Sequence, residues 1–331
     1  MRSFHLPRDG LVPFLDGLNK KLELIAPVMV EGEPVFVTWS GEKLALDSEN
    51  PLASPVEFFL PQEEVLFRYV QYSGRYTFEE EEPRPRMIFG MRPCDLKAVE
   101  VLDRIFGSDH LYVDRRKSTV IAVLNCTTPG ESCFCAQLGT GPGSEDGYDL
   151  LFTEVEDGYL VEPGSPAGTL VLRDYADLFT EARPHHLAEK KKRLNMAEDA
   201  VRRSGPLISV PLIEEAIEEA PWEEIGERCL RCGGCSFVCP VCHCFNVVDR
   251  GVPDGERLRC RDSCIFSGFA RMANDINPRI SQGERLRNWY KNKFVYLPER
   301  TGLVGCVGCG RCSRVCLGPI DRKGLLKEVG I

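Results

Sequence analysis

Residues 229–240 read Cys-Leu-Arg-Cys-Gly-Gly-Cys-Ser-Phe-Val-Cys-Pro, and residues 306–317 read Cys-Val-Gly-Cys-Gly-Arg-Cys-Ser-Arg-Val-Cys-Leu. Both runs follow the C-x2-C-x2-C-x3-C spacing of bacterial ferredoxins, in which three thiolates hold one cluster and the fourth reaches its neighbour. The spacing therefore predicts two 4Fe-4S clusters that exchange ligands. The first takes Cys229, Cys232, Cys235 and Cys316, and the second takes Cys306, Cys309, Cys312 and Cys239.

A pair of zinc ribbons is the structural alternative, because zinc sites also use the C-x2-C spacing. Zinc ribbons need two pairs of ligands, whereas each run here offers four thiolates separated by two, two and three residues. The chain also has only five histidines beside its sixteen cysteines. Iron–sulfur chemistry is therefore the interpretation that the spacing favours.

An inserted segment at 240–305 separates the two runs, since Cys239 and Cys306 are 67 residues apart. The insert carries Cys242, Cys244, Cys260 and Cys264. Four thiolates are enough for one further cluster or one zinc ion. Buried free thiols are the alternative, since cysteine is among the most buried residue types. Both interpretations are open, and the free thiols are favoured.

Upstream of the runs, the sequence predicts a mixed α/β domain with β-hairpins. Two β-rich stretches within 26–38 flank a turn, and a second pair flanks Asp157-Gly158, a dipeptide that type I′ turns prefer. Short strands are predicted at 87–91 and 119–124, with a helix from about residue 95 to 106 between them. The fold class is therefore α+β, with a mainly helical dicluster domain of ferredoxin type after the mixed domain.

Four cysteines of the mixed domain lie where its predicted elements end. Cys94 lies between a strand and the helix, and Cys126 follows a strand. Cys133 and Cys135 lie in the next loop. Loops at strand ends are where a scaffold displays chemistry, so these thiols are predicted to bind a third 4Fe-4S cluster. Free or redox-active thiols are the alternative for Cys133 and Cys135, because adjacent ligands on one strand point to opposite faces. Asp95 is a reserve oxygen ligand if one of the cysteines cannot reach the cluster.

The domain boundary is predicted near residue 205, where Ser204-Gly205-Pro206 ends a helix at 187–203. Residues 1–205 then form the α/β domain, and residues 206–331 form the dicluster domain. Two short helices, at 212–219 and 222–228, are predicted to lead into the first run.

Composition limits the classes of function. The 331 residues carry a net charge of −9, whereas a nucleic-acid footprint needs a cationic face, so nucleic acid is not an expected partner. No apolar run approaches the ~18 residues of a membrane-spanning helix. The first residues lack the apolar stretch of a secretory signal. The expected location is the reducing cytoplasm, where cysteines stay available for metal.

No nucleotide-binding fingerprint is present. The stretch at 139–143 reads Gly-Thr-Gly-Pro-Gly, which is neither G-x-G-x-x-G nor a P-loop. It is interpreted as a plain loop, and neither flavin nor NAD is expected on this chain.

Two longer blocks resemble a known family. Residues 90–106 read Gly-Met-Arg-Pro-Cys-Asp-Leu-Lys-Ala-Val-Glu-Val-Leu-Asp-Arg-Ile-Phe, and residues 125–135 read Asn-Cys-Thr-Thr-Pro-Gly-Glu-Ser-Cys-Phe-Cys. Followed by two ferredoxin runs, these blocks resemble the iron–sulfur electron-transfer subunit that anaerobic sulfite reductases share with cytosolic sulfhydrogenases, where it is the beta subunit. The resemblance covers most of the chain.

The resemblance implies an electron relay. A flavin-containing subunit would take hydride from NAD(P)H, and this chain would pass single electrons between that flavin and a catalytic redox subunit of hydrogenase or sulfite reductase type. The chain itself would carry no catalytic residue. Two other hypotheses are open. One is a thiol/disulfide redox subunit similar to heterodisulfide reductases, using the surplus thiols of the insert or of the 133–135 loop, and the other is a zinc-stabilised binding module.

Overall fold

The computed structural model describes residues 2–72, 75–79, 83–205 and 213–328. The predicted boundary near 205 adjoins residues 206–212, which lie outside the described residues, and so does the first residue of the helix predicted at 212–219. The strands are β1 (Phe4–Pro7), β2 (Glu23–Val30), β3 (Glu33–Thr38), β4 (Glu63–Tyr72), β5 (Arg75–Glu79), β6 (Arg86–Met91), β7 (Thr119–Leu124), β8 (Leu150–Val155), β9 (Gly158–Pro163), β10 (Thr180–Glu181), β11 (Phe245–Arg250) and β12 (Gly255–Arg261).

The α-helices alternate with these strands in the N-terminal part and dominate the C-terminal part. They are α1 (Leu11–Asn19), α2 (Pro93–Phe106), α3 (His110–Lys117), α4 (Cys135–Leu138), α5 (Pro166–Asp174), α6 (Pro184–Ser204), α7 (Ile213–Glu219), α8 (Trp222–Glu227), α9 (Gly234–Phe237), α10 (Gln282–Lys291), α11 (Leu297–Thr301), α12 (Arg311–Arg314) and α13 (Arg322–Glu328). A π-helical turn at Asn292–Tyr296 joins α10 to α11. The α+β fold class is thereby confirmed.

The larger sheet has eight strands in the order β10-β1-β9-β8-β7-β6-β2-β3. Its centre is parallel, from β2 through β6 and β7 to β8, and its flanks are antiparallel. Both predicted hairpins are confirmed as β2–β3 and β8–β9. The parallel centre aligns the carboxyl ends of β6 and β7 at one edge, where cysteines follow both strands.

Alternate residues of the central strands enter two hydrophobic layers. Met87 and Phe89 pack on the side of α1, whereas Ile88 and Met91 pack on the side of α2. The α2 layer also contains Val307 and Cys309 of the second cysteine run. Because an apolar layer is shared, the second run packs directly against the N-terminal sheet and its helix.

The insert forms β11 and β12, which join β4 and β5 in an antiparallel four-stranded sheet of order β11-β12-β4-β5. Sequence analysis did not predict these two strands. Arg259 on β12 is buried and donates to Glu64 on β4 at 2.7 Å. The insert is therefore hydrogen-bonded to strands of the N-terminal part of the chain.

The remaining C-terminal helices enclose a third apolar layer, which includes Trp222, Leu286 and Tyr290. Sulfur-bearing residues of both cysteine runs pack against this layer. Among the described residues, no helix has the length and apolar character that crossing a membrane requires.

Candidate metal centres

The cysteines of the N-terminal part converge on one small cavity. Cys94 lies in the first turn of α2, directly after β6, and Cys126 follows the neighbouring strand β7. Cys133 lies in the next loop, and Cys135 begins α4. All four line the cavity together with Cys309 of the second run. The structure thus brings the four predicted ligands together and adds a sulfur from the C-terminal part.

The segment from Cys133 to Cys135 is not a strand, so the alternation of a strand does not apply to it. Phe134 has φ −145° and ψ 28° and turns the chain into α4. Both neighbouring thiols thereby face the cavity, while Phe134 packs into the C-terminal apolar layer. Its N–H donates to the carbonyl of Gly308 at 2.8 Å.

Asp95, the reserve oxygen ligand, is engaged elsewhere. Its carboxylate accepts two hydrogen bonds from Arg311, at 2.7 and 3.1 Å, and one from Ser54 at 2.6 Å. Asp95 and Arg311 are both fully buried. This ion pair joins α2 to α12, so a buried charge pair fastens the second run to the N-terminal part.

We expect Asp95→Asn to lower the free energy of unfolding by ~3–5 kcal/mol, because the substitution leaves the Arg311 charge buried without its partner. The measurement is an anaerobic urea titration of the full chain. Glu100→Gln on the same helix is the control, since its pair with Lys97 is partly exposed and worth at most ~1 kcal/mol. Equal losses in the two variants would contradict a specific role for the buried pair.

Burial raises the pKa of each thiol in the cavity. The pKa of Cys133 rises to about 12, first through burial and then through the neighbouring sulfurs of Cys126 and Cys309. Burial is also the main cause of the raised pKa of Cys126, which the Arg92 guanidinium opposes. Only thiolates bind metal, so a bound cluster would displace protons that burial otherwise retains.

The second run folds around two glycines that approach the N-terminal loop closely. Gly308 has φ +60°, and a Cβ there would lie 2.6 Å from the backbone of Cys135. Gly310 has φ +75°, and a Cβ there would lie 2.6 Å from Ser132. Any larger residue at either position would separate the run from the cavity.

Cys239 lies close to all three leading cysteines of the second run, and of its own run its sulfur acts on Cys235. After burial, the Cys239 sulfur is among the causes that raise the pKa values of Cys306, Cys309 and Cys312. The pKa of Cys239 itself is held well below its usual value by a hydrogen bond from Cys242 and by the Lys293 ammonium. The Lys293 Nζ lies 3.1 Å from the Cys239 Sγ.

The first run curls at Gly233 into α9, which packs against α12 of the second run. Gln282 Nε2 donates to the Cys229 Sγ at 3.2 Å, and Arg322 Nη2 donates to the Cys235 Sγ at 3.3 Å. Cys316 follows α12, and its thiol donates to the Gly318 carbonyl at 3.5 Å. Cys232 is the one exposed cysteine of the sixteen.

The insert cysteines divide into a group of three and a single residue. Cys242, Cys244 and Cys264 all face Lys293. A hydrogen bond from the Cys264 thiol lowers the pKa of Cys244 to about 7. Cys260 instead lies on β12 between Asn246 and Glu63, and its sulfur acts on Arg250. The four thiols of the insert therefore do not share one site.

The donor set and the charges both fit iron–sulfur clusters. Each group of converging cysteines offers soft thiolates, which favour iron–sulfur clusters or zinc over harder metals. Lys293 and Arg322 are each 3% exposed, and both lie near cysteine sulfurs. Because a cluster held by four thiolates is negatively charged, these two buried cations would offset its charge. Sequence analysis missed Lys293, Arg322 and Gln282, because no sequence motif marks a basic or amide residue that will contact a cysteine sulfur in the fold.

Another group of possible metal donors lies at the turn between β8 and β9, where Asp157 meets His5 of β1 and His186 of α6. His5 Nε2 and His186 Nε2 lie 3.1 and 3.4 Å from the two carboxylate oxygens of Asp157. His186 Nδ1 accepts the N–H of Arg183 at 3.1 Å, so the proton of the neutral ring is on Nε2 and points at Asp157. This arrangement is a hydrogen-bonded cluster rather than a metal site.

Comparison with known proteins gives two matches. The model of a 4Fe-4S dicluster domain matches residues 228–320, which span both cysteine runs and the insert. The whole chain is similar to the sulfhydrogenase 2 subunit beta of Pyrococcus furiosus, with 31% identity over 339 aligned positions that cover 99% of this chain and 98% of that protein.

Proposed function

The chain belongs to the family of iron–sulfur electron-transfer subunits that includes the beta subunit of sulfhydrogenase, and from this premise we propose a specific relay. In this relay, the chain passes single electrons between a catalytic redox subunit of hydrogenase or sulfite reductase type and a flavin-containing NAD(P)H-oxidoreductase subunit. The 4Fe-4S clusters supply the one-electron chemistry. The chain supplies their ligands, their spacing and their shielding from water.

The observation that carries the proposal is the contact between the N-terminal cavity and the second run. Cys309 lines the cavity of Cys94, Cys126, Cys133 and Cys135. The Cys133 Sγ lies 3.6 Å from the Cys309 carbonyl oxygen. Electron tunnelling weakens exponentially with distance, so adjoining centres are what a relay needs.

We propose three clusters with the following ligands. The first has Cys229, Cys232, Cys235 and Cys316, the second has Cys306, Cys309, Cys312 and Cys239, and the third has Cys94, Cys126, Cys133 and Cys135. The influence of Cys239 on all three cysteines of the second run supports the exchange of ligands. The packing of α9 against α12 supports a neighbouring position for the first two clusters.

The order of the relay follows from these contacts. The second cluster lies between the other two, because its run touches the N-terminal cavity through Cys309 and the first run through α12. The two outer clusters would then face the two partner subunits. We propose a cytoplasmic location for the complex, because a reducing compartment keeps cysteines available for metal.

We expect the purified chain, with its clusters in place, to reduce no dye from NADPH until a flavin subunit is added. The reason is that hydride donors deliver two electrons, and the proposed centres take one at a time. The measurement is dye reduction under anaerobic conditions, with and without the flavin subunit. Stoichiometric flavin on the chain alone, or NADPH-dependent reduction without a partner, would contradict the proposal.

A thiol/disulfide function is the second candidate, and the contact of Cys244 with Cys264 is the observation that favours it. A turnover assay separates the two candidates. Turnover of a small disulfide by the chain, supplied with a reduced viologen and lost in Cys244→Ser, would favour the second candidate. Electron transfer that persists in Cys244→Ser would favour the relay.

A further inference from the structure

Lys293 lies in an unusual place for a lysine. It is 3% exposed and belongs to the π-helical turn Asn292–Tyr296. Single π-helical turns inside helices are rare and are frequent at functional sites, because they re-aim one side chain at the expense of regular hydrogen bonding. The turn points the Lys293 side chain at the sulfurs below it.

The Lys293 ammonium has three polar contacts. Its Nζ lies 3.1 Å from the Cys239 Sγ, 3.6 Å from the Cys242 Sγ and 3.1 Å from the Gly305 carbonyl oxygen. The indole of Trp289 lies beneath the charge, with its ring centre 4.6 Å away. Across the described ranges of the chain, no carboxylate forms an ion pair with Lys293.

A buried ammonium needs a negative partner, because its removal from water costs several kcal/mol. The electrostatic neighbours of Lys293 are the sulfurs of Cys239, Cys242 and Cys306. Arg311 gives the contrast, since Asp95 offsets its charge locally and fully. Cys239 and Cys306 are two of the ligands proposed for the second cluster, so the charge of Lys293 acts on that cluster as well as on the insert thiol Cys242.

We propose that Lys293 sets the reduction potential of the second cluster, acting through its hydrogen bond to Cys239. This inference rests on the proposed function, in which Cys239 is the ligand that crosses to Cys306, Cys309 and Cys312. A cluster with four thiolates gains one more negative charge on reduction. A fixed positive charge at a ligand sulfur favours the reduced form and so raises the potential.

The backbone holds this contact in register. The N–H of Gly305 donates to the Lys293 carbonyl at 2.7 Å, one residue before Cys306. A Cβ on Gly305 would lie 2.9 Å from the Lys293 Cα. The π-helical turn and the start of the second run are thus hydrogen-bonded to each other, and the Lys293 backbone cannot shift without moving the residue before Cys306.

The test is a redox titration of the full chain, purified anaerobically and followed by paramagnetic resonance. Lys293→Met and Lys293→Gln remove the charge, Lys293→Arg keeps it, and Lys291→Met is the matched control. Lys291 lies two residues away and pairs with Glu218 on the surface. We expect both neutral variants to shift the midpoint potential of one cluster to a more negative value. The arginine variant and the control should stay at the wild-type value.

The shifted signal should be the one that Cys309→Ser also alters. Unchanged midpoints in both neutral variants, with all clusters present, would overturn the inference and leave the relay intact. A shift confined to the signal that Cys232→Ser alters would instead contradict the ligand assignment on which it rests.

Iron content keeps the test decisive if a variant does not hold its clusters. Loss of about four irons from the neutral variants but not from Lys293→Arg would support the role of the charge. Equal loss from all three variants would overturn it, because shape rather than charge would then explain the effect. Wild-type protein without iron would contradict the proposed function itself.

Discussion

Serine at Cys94 or at Cys126 is expected to lower the iron content of anaerobically purified protein from about twelve atoms to about eight. Both thiols line the cavity that the N-terminal cysteines share, so either substitution removes one of four ligands from the third cluster. The measurement is the iron content per chain, together with visible absorbance that dithionite bleaches.

Cys260→Ser is the matched control, because Cys260 lies on β12 away from the groups of converging thiols. It should leave the iron content unchanged. A wild-type count near eight, unaffected by Cys94→Ser, would remove the third cluster and keep the other two. A count near zero with stoichiometric zinc would remove the iron–sulfur assignment altogether.

Cys239→Ser is expected to alter the same cluster signal as Cys309→Ser, although 70 residues separate the two positions. Each substitution replaces a soft thiolate by a harder oxygen, so one cluster should lose an iron or change its potential. The influence of the Cys239 sulfur on Cys309 supports this expectation. Paramagnetic resonance on the reduced single variants shows which signal changes.

Cys316→Ser is the reciprocal variant and should alter the cluster of Cys229, Cys232 and Cys235. If Cys239→Ser affects the signal that Cys232→Ser affects, each run closes on itself. The exchange of ligands would then be wrong, although the number of clusters would stand.

Local sequence patterns predicted the elements of the N-terminal sheet well. Strands β6 and β7, helix α2 and both hairpins were expected from periodicity and turn residues, and each is present. These signals are local, because alternation and helical spacing depend on residues a few positions apart. The cysteine runs could be recognised equally well from the sequence, since spacing along the chain decides which thiols can share a cluster.

Contacts between distant segments were not predictable in the same way. Strand β12 pairs with β4, and no pattern in either strand names its partner. The ion pair of Arg311 with Asp95 joins residues 216 positions apart. Nothing in the sequence distinguishes these two buried charged residues from charged residues on the surface. Pairing between distant segments depends on the whole fold, and local patterns in a single sequence do not reveal it.

The insert shows the same limit within the candidate site. Sequence analysis grouped Cys242, Cys244, Cys260 and Cys264 because they lie close together in the chain. Strand pairing places Cys260 in the sheet, whereas the other three thiols lie near Lys293. Spacing identified the thiols but not the strand that separates them.

The close approach of Gly308 and Gly310 to the 132–135 loop has a consequence for how the protein is made. Once the second run has docked and Arg311 has met Asp95, four of the five cysteines that line the N-terminal cavity are buried. A preformed cluster delivered by an assembly factor would have to enter before this docking, while the C-terminal residues are still being synthesised or are not yet folded. Maturation would then proceed from the amino-terminal centre toward the carboxyl-terminal pair, and a chain that folded too early would stay short of one cluster.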